Sequence, residues 1–72
     1  MKLVMVRINA GNITNLFKLN DLVCEVGDYV IVENMKDYDL GKVVAIVETN
    51  EELVKYIHNK TISKSVVRKI EI

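Results

Sequence analysis

The sequence predicts a mainly β chain that closes into a small barrel of about five strands, with one short helix after residue 49. Three observations carry this. β-Branched and other apolar residues come in short runs, at Leu3–Ile8, Tyr29–Glu33, Lys42–Glu48 and Ser65–Ile72, and a branched Cβ crowds a helix while suiting a pleated surface. Turn-forming residues punctuate those runs at Ala10-Gly11-Asn12, Asn20-Asp21 and Gly27-Asp28. Helical spacing is confined to the stretch that begins at Thr49.

The first strand, Leu3–Ile8, places Val4, Val6 and Ile8 on one face and Leu3 and Met5 on the other. After the turn at Ala10-Gly11-Asn12 the chain returns as Thr14–Leu19, with Phe17 and Leu19 on one side. Leu22–Glu25 is expected to be a short irregular or extended piece, its apolar residues covering one open end of the barrel. Val26–Glu48 is the central hairpin. Gly27 fits a position of positive φ, and Gly41 fits a bulge or bend. Asn34–Asp39 is polar and too long for a two-residue turn, so an open loop is expected. Thr49 with Glu52 matches a capping box, and Leu53, Tyr56 and Ile57 share one helical face, which predicts a helix of about two turns. The last strand, Ser65–Ile72, is expected to pair with the first.

At 72 residues the chain is read as one domain, 1–72, near the size at which a single core leaves little stability in hand. No apolar run approaches the roughly 20 residues of a membrane-spanning helix, and the start does not resemble a signal peptide, so a cytoplasmic location without membrane contact is expected. Cys24 stands alone, which rules out an intramolecular disulfide and any paired-cysteine metal site. It is expected to be a buried, inert thiol.

Catalytic chemistry finds no footing. Thr14, Ser63 and Ser65 have no base in a recognisable arrangement, and His58 has no ligand or acid at metal spacing. Glu33, Asp37 and Asp39 lack the glycine-centred loop of a calcium site. Neither an enzyme, a cofactor, a metal site nor a small-molecule substrate is expected.

Charge is balanced overall but unevenly distributed. Residues 1–20 hold Lys2, Arg7 and Lys18 and no acid; 21–52 hold nine acids against Lys36 and Lys42; 53–72 hold five bases against Glu71. Terminal strands lying side by side would gather Arg7, Lys64, Arg68 and Lys69, with Lys18, into a basic face suited to phosphates. Tyr29, Tyr38 or Phe17 would supply base stacking. The competing reading is that these charges solvate and pair across an exposed sheet.

Four or five strands, sharp glycine bends and one short helix describe an SH3-like barrel, with an OB-like barrel as the alternative. Val6-Arg7, Phe17, the run Val26-Gly27-Asp28-Tyr29-Val30-Ile31-Val32-Glu33, then Gly41-Lys42-Val43-Val44 and Val67-Arg68-Lys69 together resemble the C-terminal domain family of the polymerase-suppressor proteins. In bacteria that family is similar to the YaaT-type RNA-maturation factors. The VGDxVIVE and GKVV patterns are also similar to KOW modules and to the DNA-end-binding domain at the front of the primosomal helicase. The resemblance implies the barrel; the several cysteines of the bacterial factors are absent, and no functional residue is carried over from them.

The leading functional expectation is a non-enzymatic protein-interaction module acting within an oligomer or larger assembly. Leu3, Met5, Tyr29, Ile31, Tyr38, Val44 and Ile46 supply more apolar surface than one small core uses. A nucleic-acid-binding domain built on Arg7, Lys18, Lys64, Arg68 and Lys69 is the alternative.

Overall fold

The computed structural model describes residues 2–9, 13–34, 37–50 and 64–71. Five strands appear: β1 (Lys2–Ile8), β2 (Ile13–Lys18), β3 (Tyr29–Asn34), β4 (Asp37–Glu48) and β5 (Val66–Ile70). Among the described residues they form one antiparallel sheet in the order β2-β1-β4-β3-β5, the small β-barrel-like fold expected from the valine-rich runs. The helix expected after Thr49 lies outside the described residues.

The sheet curls until its two ends meet at Ser65. The Lys18 N–H donates to the Lys64 carbonyl at 2.9 Å, and the Glu33 N–H donates to the Ser65 carbonyl at 3.1 Å. Asn20 Nδ2 donates to Ser65 Oγ at 3.2 Å. Residues 64 and 65 therefore join the end of β2 to β3. Two irregularities help the sheet bend, since an extra residue in one strand increases the local twist. In β4 the extra residue is Val44, where the register to β1 shifts between Met5 and Val6. In β5 it is Val67, where the register to β3 shifts between Ile31 and Val32.

Alternation along the strands turns one set of side chains inward. Val4, Val6 and Ile8 from β1, Phe17 from β2, Val30 and Val32 from β3, Val43 from β4 and Val66 from β5 form the core with Leu19 and Cys24. Each such side chain contributes about 1.5–3 kcal/mol by leaving water. Leu22 packs against this cluster, whereas Val23 is exposed, so only part of the irregular segment covers the barrel end. Asn20, at φ +56°, makes the turn out of β2, in a conformation that asparagine tolerates better than most residues.

Three expectations are corrected. Strand pairing runs through Glu33↔Tyr38 to Asn34↔Asp37, so the open loop expected over Asn34–Asp39 is replaced by the tip of a hairpin. Ladder hydrogen bonds use the backbone alone, and polar residues can follow a strand wherever a partner strand supplies donors and acceptors. The last strand pairs with β3 rather than with the first strand. Finally, the bulge in β4 sits at Val44, and Gly41 instead occupies a point where β1 passes close against β4.

Candidate interaction surface

The turn that starts β3 aims the first residue of the surface. The Asp28 N–H donates to the Glu25 carbonyl at 3.1 Å, and Gly27 at φ +99° fits the third position of a type II turn. Asp28 Oδ2 in turn accepts the Glu25 N–H at 2.8 Å. Backbone bonds from the Gly27 N–H to the Val43 carbonyl (2.8 Å) and from the Val43 N–H to the Asp28 carbonyl (2.9 Å) fasten this turn to β4. Tyr29 thereby enters β3 with its ring outward.

Directly paired residues of an antiparallel sheet carry their side chains on the same face, so the register defines three outward rows. The first runs Arg7, Lys42, Tyr29, Ile70 across β1, β4, β3 and β5. The second runs Leu40, Ile31, Arg68, and the third Tyr38, Glu33. Successive rows are about 6.6–6.8 Å apart. Tyr29 is 40% exposed, Leu40 40% and Tyr38 63%, while Ile31 and Ile70 are half-buried. Lys42 Nζ stands 5.9 Å from the centroid of the Tyr29 ring, near the outer limit of a cation–π contact. The result is an aromatic and aliphatic face with Arg7 and Lys42 along one side, Arg68 at the end of the middle row and Glu33 on the other side.

Beside this face lies a shallow depression of about 450 Å³ lined by Gly27, Asp28, Tyr29, Lys69, Ile70 and Glu71. Its floor carries an ion pair, Lys69 Nζ to Asp28 Oδ2 at 3.3 Å. The Glu25 N–H, and then Lys69, hold the Asp28 carboxyl below its ordinary range against the effect of desolvation. Among the described residues no three His, Cys, Asp or Glu side chains gather into a group that would hold a metal. No described helix is long and apolar enough to cross a membrane.

The residues expected to form one interaction surface fall into separate places. Tyr29, Ile31 and Tyr38 share the face just described. Leu3 is buried, packed with Leu16, so it offers no free surface; Met5 stands opposite Leu16 and Ala45 and is half-buried. Val44 is the extra residue of the bulge, and Ile46, though exposed, lies on the part of β4 beyond its pairing with β3, opposite Val4 of β1.

The basic residues are also divided. β1 and β5 are separated by β4 and β3, so the terminal strands do not build a joint basic face. Arg7 and Arg68 lie on the outward rows, Lys69 is engaged by Asp28, and Lys18 meets Lys64 where the sheet closes. Leu40, Lys42 and Ile70 belong to the surface and were not anticipated. Extending the alternation of Tyr38, Leu40 and Lys42 back through the expected loop is the signal that would have found two of them. No protein-family model matches the chain, and no curated protein or solved structure matches it either.

Proposed function

We propose that this chain is a non-enzymatic protein-interaction module that binds through the outward face of β3 and β4. The observation that supports this reading is the clustering of Tyr29, Ile31, Tyr38 and Leu40 on one face, with three of the four at least 40% exposed. An exposed aromatic and aliphatic cluster rimmed by charge has the make-up of a contact surface. Placing a photo-crosslinking side chain at position 38 or 40, with controls at the exposed positions Asn15 and Glu25, tests it. Adducts with protein are expected from 38 and 40 and not from the controls. Equal silence at all four positions removes the reading.

A second reading is favoured by one specific arrangement, Arg7 and Lys42 beside Tyr29 in a single row. A cation next to an exposed ring suits a phosphate and a stacked base. Titration with single-stranded and duplex oligonucleotides as a function of salt distinguishes the two, because phosphate contacts weaken steeply as salt rises. No binding at low salt ends the nucleic-acid reading.

A further inference from the structure

Resting on the interaction reading above, we propose that the partner of this face is an acidic segment of another protein, lying across the strands with apolar residues at its centre and carboxylates at both ends. The argument is one of charge complementarity. The first two outward rows hold Arg7, Lys42 and Arg68 and no acid, whereas Glu33 lies on the third, next to the Asn34↔Asp37 pair at the hairpin tip. All three cations are exposed. Among the described residues none of them forms an ion pair, although the chain holds ten acids for its ten bases. Asp28, whose neighbour Tyr29 belongs to the first row, is committed to Lys69 and to the Glu25 N–H. A neutral chain thus gathers three unopposed cations on one outward patch, and a carboxylate-rich partner is the complement of that patch.

The placement of the cations sets the partner's pattern. Arg7 and Lys42, on β1 and β4, flank Tyr29, Leu40 and Ile31 from one side, and Arg68, on β5, flanks them from the other. In the order β1-β4-β3-β5 the outer strands are about 14 Å apart along the sheet, which an extended segment covers in about four residues. Apolar residues between two acids at that separation rest on Tyr29, Leu40 and Ile31. The same aliphatic middle favours protein over nucleic acid. A single strand calls for a line of cations beside stacking rings, whereas Leu40 and Ile31 interrupt that line here and Phe17 is buried in the core.

Selection from a displayed library of random peptides, with the full chain as bait, tests the pattern without presupposing a sequence. Enriched peptides are expected to carry Asp or Glu on both sides of an apolar centre. A labelled peptide of the enriched sequence is then titrated against the native chain and against Arg7→Glu, Lys42→Glu, Arg68→Glu and Leu40→Ser, with circular dichroism as a folding control. These positions are all exposed, so the substitutions alter the face and leave the core in place. Each charge reversal is expected to weaken binding by roughly tenfold or more, and Leu40→Ser to weaken it as well. Lys2→Glu, which reverses an exposed cation off these rows, is expected to leave binding in place. Enriched peptides without an acidic bias, binding indifferent to the three reversals, or a library that yields no binder each overturn the proposal. A single-stranded oligonucleotide that binds the native chain and not the three reversals, where no acidic peptide is enriched, replaces the partner by nucleic acid. If protein adducts still form at 38 and 40 after any such failure, the interaction reading survives with a partner of different chemistry; if none form, both fall.

Discussion

Lys69 Nζ lies 3.3 Å from Asp28 Oδ2, which ties the last strand to the turn that launches β3. The same carboxylate accepts the Glu25 N–H at 2.8 Å, so one side chain closes a turn and clasps a strand. Both partners respond in the direction this contact requires. Asp28 is held below its ordinary value by the Glu25 N–H first and by Lys69 after it, and Lys69 is raised chiefly by its hydrogen bond to Asp28. The contribution of Asp28 is thus present above the ordinary carboxylate pKa and lost as pH falls through the lowered folded value. That of Lys69 is present below its ordinary pKa and lost as pH rises through the raised one.

Asp28→Asn keeps an oxygen able to accept the Glu25 N–H and discards the charge, whereas Asp28→Ala discards both. At neutral pH the alanine variant is expected to melt below the asparagine variant, and both below the native chain. On acidification the native chain and Asp28→Asn converge, because protonation removes from the native side chain the charge that asparagine lacks. Thermal melts from neutral to acid pH read this directly. A gap between the two that persists at the lowest pH would show that the carboxylate charge is not its source.

Cys24 gives a second pH-dependent outcome. Burial raises its thiol pKa first, the Asp28 charge raises it further, and Lys69 lowers it. The residue is 6% exposed, so the folded chain offers little thiolate to a reagent. Alkylation by a small maleimide is expected to be much slower in the folded chain than in denaturant. Because the folded state favours the neutral thiol, its contribution to stability is complete below the ordinary thiol pKa and fades as pH climbs through the raised folded value. Rapid labelling at neutral pH without loss of fold would show the sulfur to be accessible.

The division between what local sequence discloses and what it conceals follows from the physics of sheets. Val4, Val6, Ile8 and Phe17 are legible as core because alternation in a strand is a local property. Gly27 is legible because a positive φ selects glycine. Strand pairing is not local: nothing in Val66–Ile70 distinguishes β3 from β1 as its neighbour, and the outcome depends on how the whole sheet curls. The bulges at Val44 and Val67 are equally hidden, since each is a valine among similar residues. The surface was half visible for the same reason. Tyr29, Ile31 and Tyr38 stand out by type, but Leu40 and Lys42 join them only once β4 is known to start at Asp37.

Gly27 and Gly41 provide the last prediction, because they are required for different reasons. Gly27 has φ +99° and open space around the position of a Cβ, so Gly27→Ala costs backbone strain alone, about 1–2 kcal/mol. A Cβ on Gly41 would overlap Val6 Cγ1 and lie 2.9 Å from the Arg7 carbonyl oxygen, so Gly41→Ala must push β1 away from β4. Overpacking of this kind costs about 1–3 kcal/mol, and at roughly 4–8 °C per kcal/mol for a domain of this size calorimetry resolves either loss. The magnitudes overlap, so coupling to Val6 separates the mechanisms. Val6→Ala removes the Cγ1 that the new methyl strikes. Combined with Gly41→Ala it is expected to destabilise by less than the sum of the single changes, the Arg7 carbonyl accounting for what remains. Combined with Gly27→Ala it is expected to add, because no atom of Val6 lies within 4 Å of a Cβ at Gly27. Additivity within about 0.3–0.5 kcal/mol in both double-mutant cycles would mean that the close approach of β1 at Gly41 is not what demands glycine there.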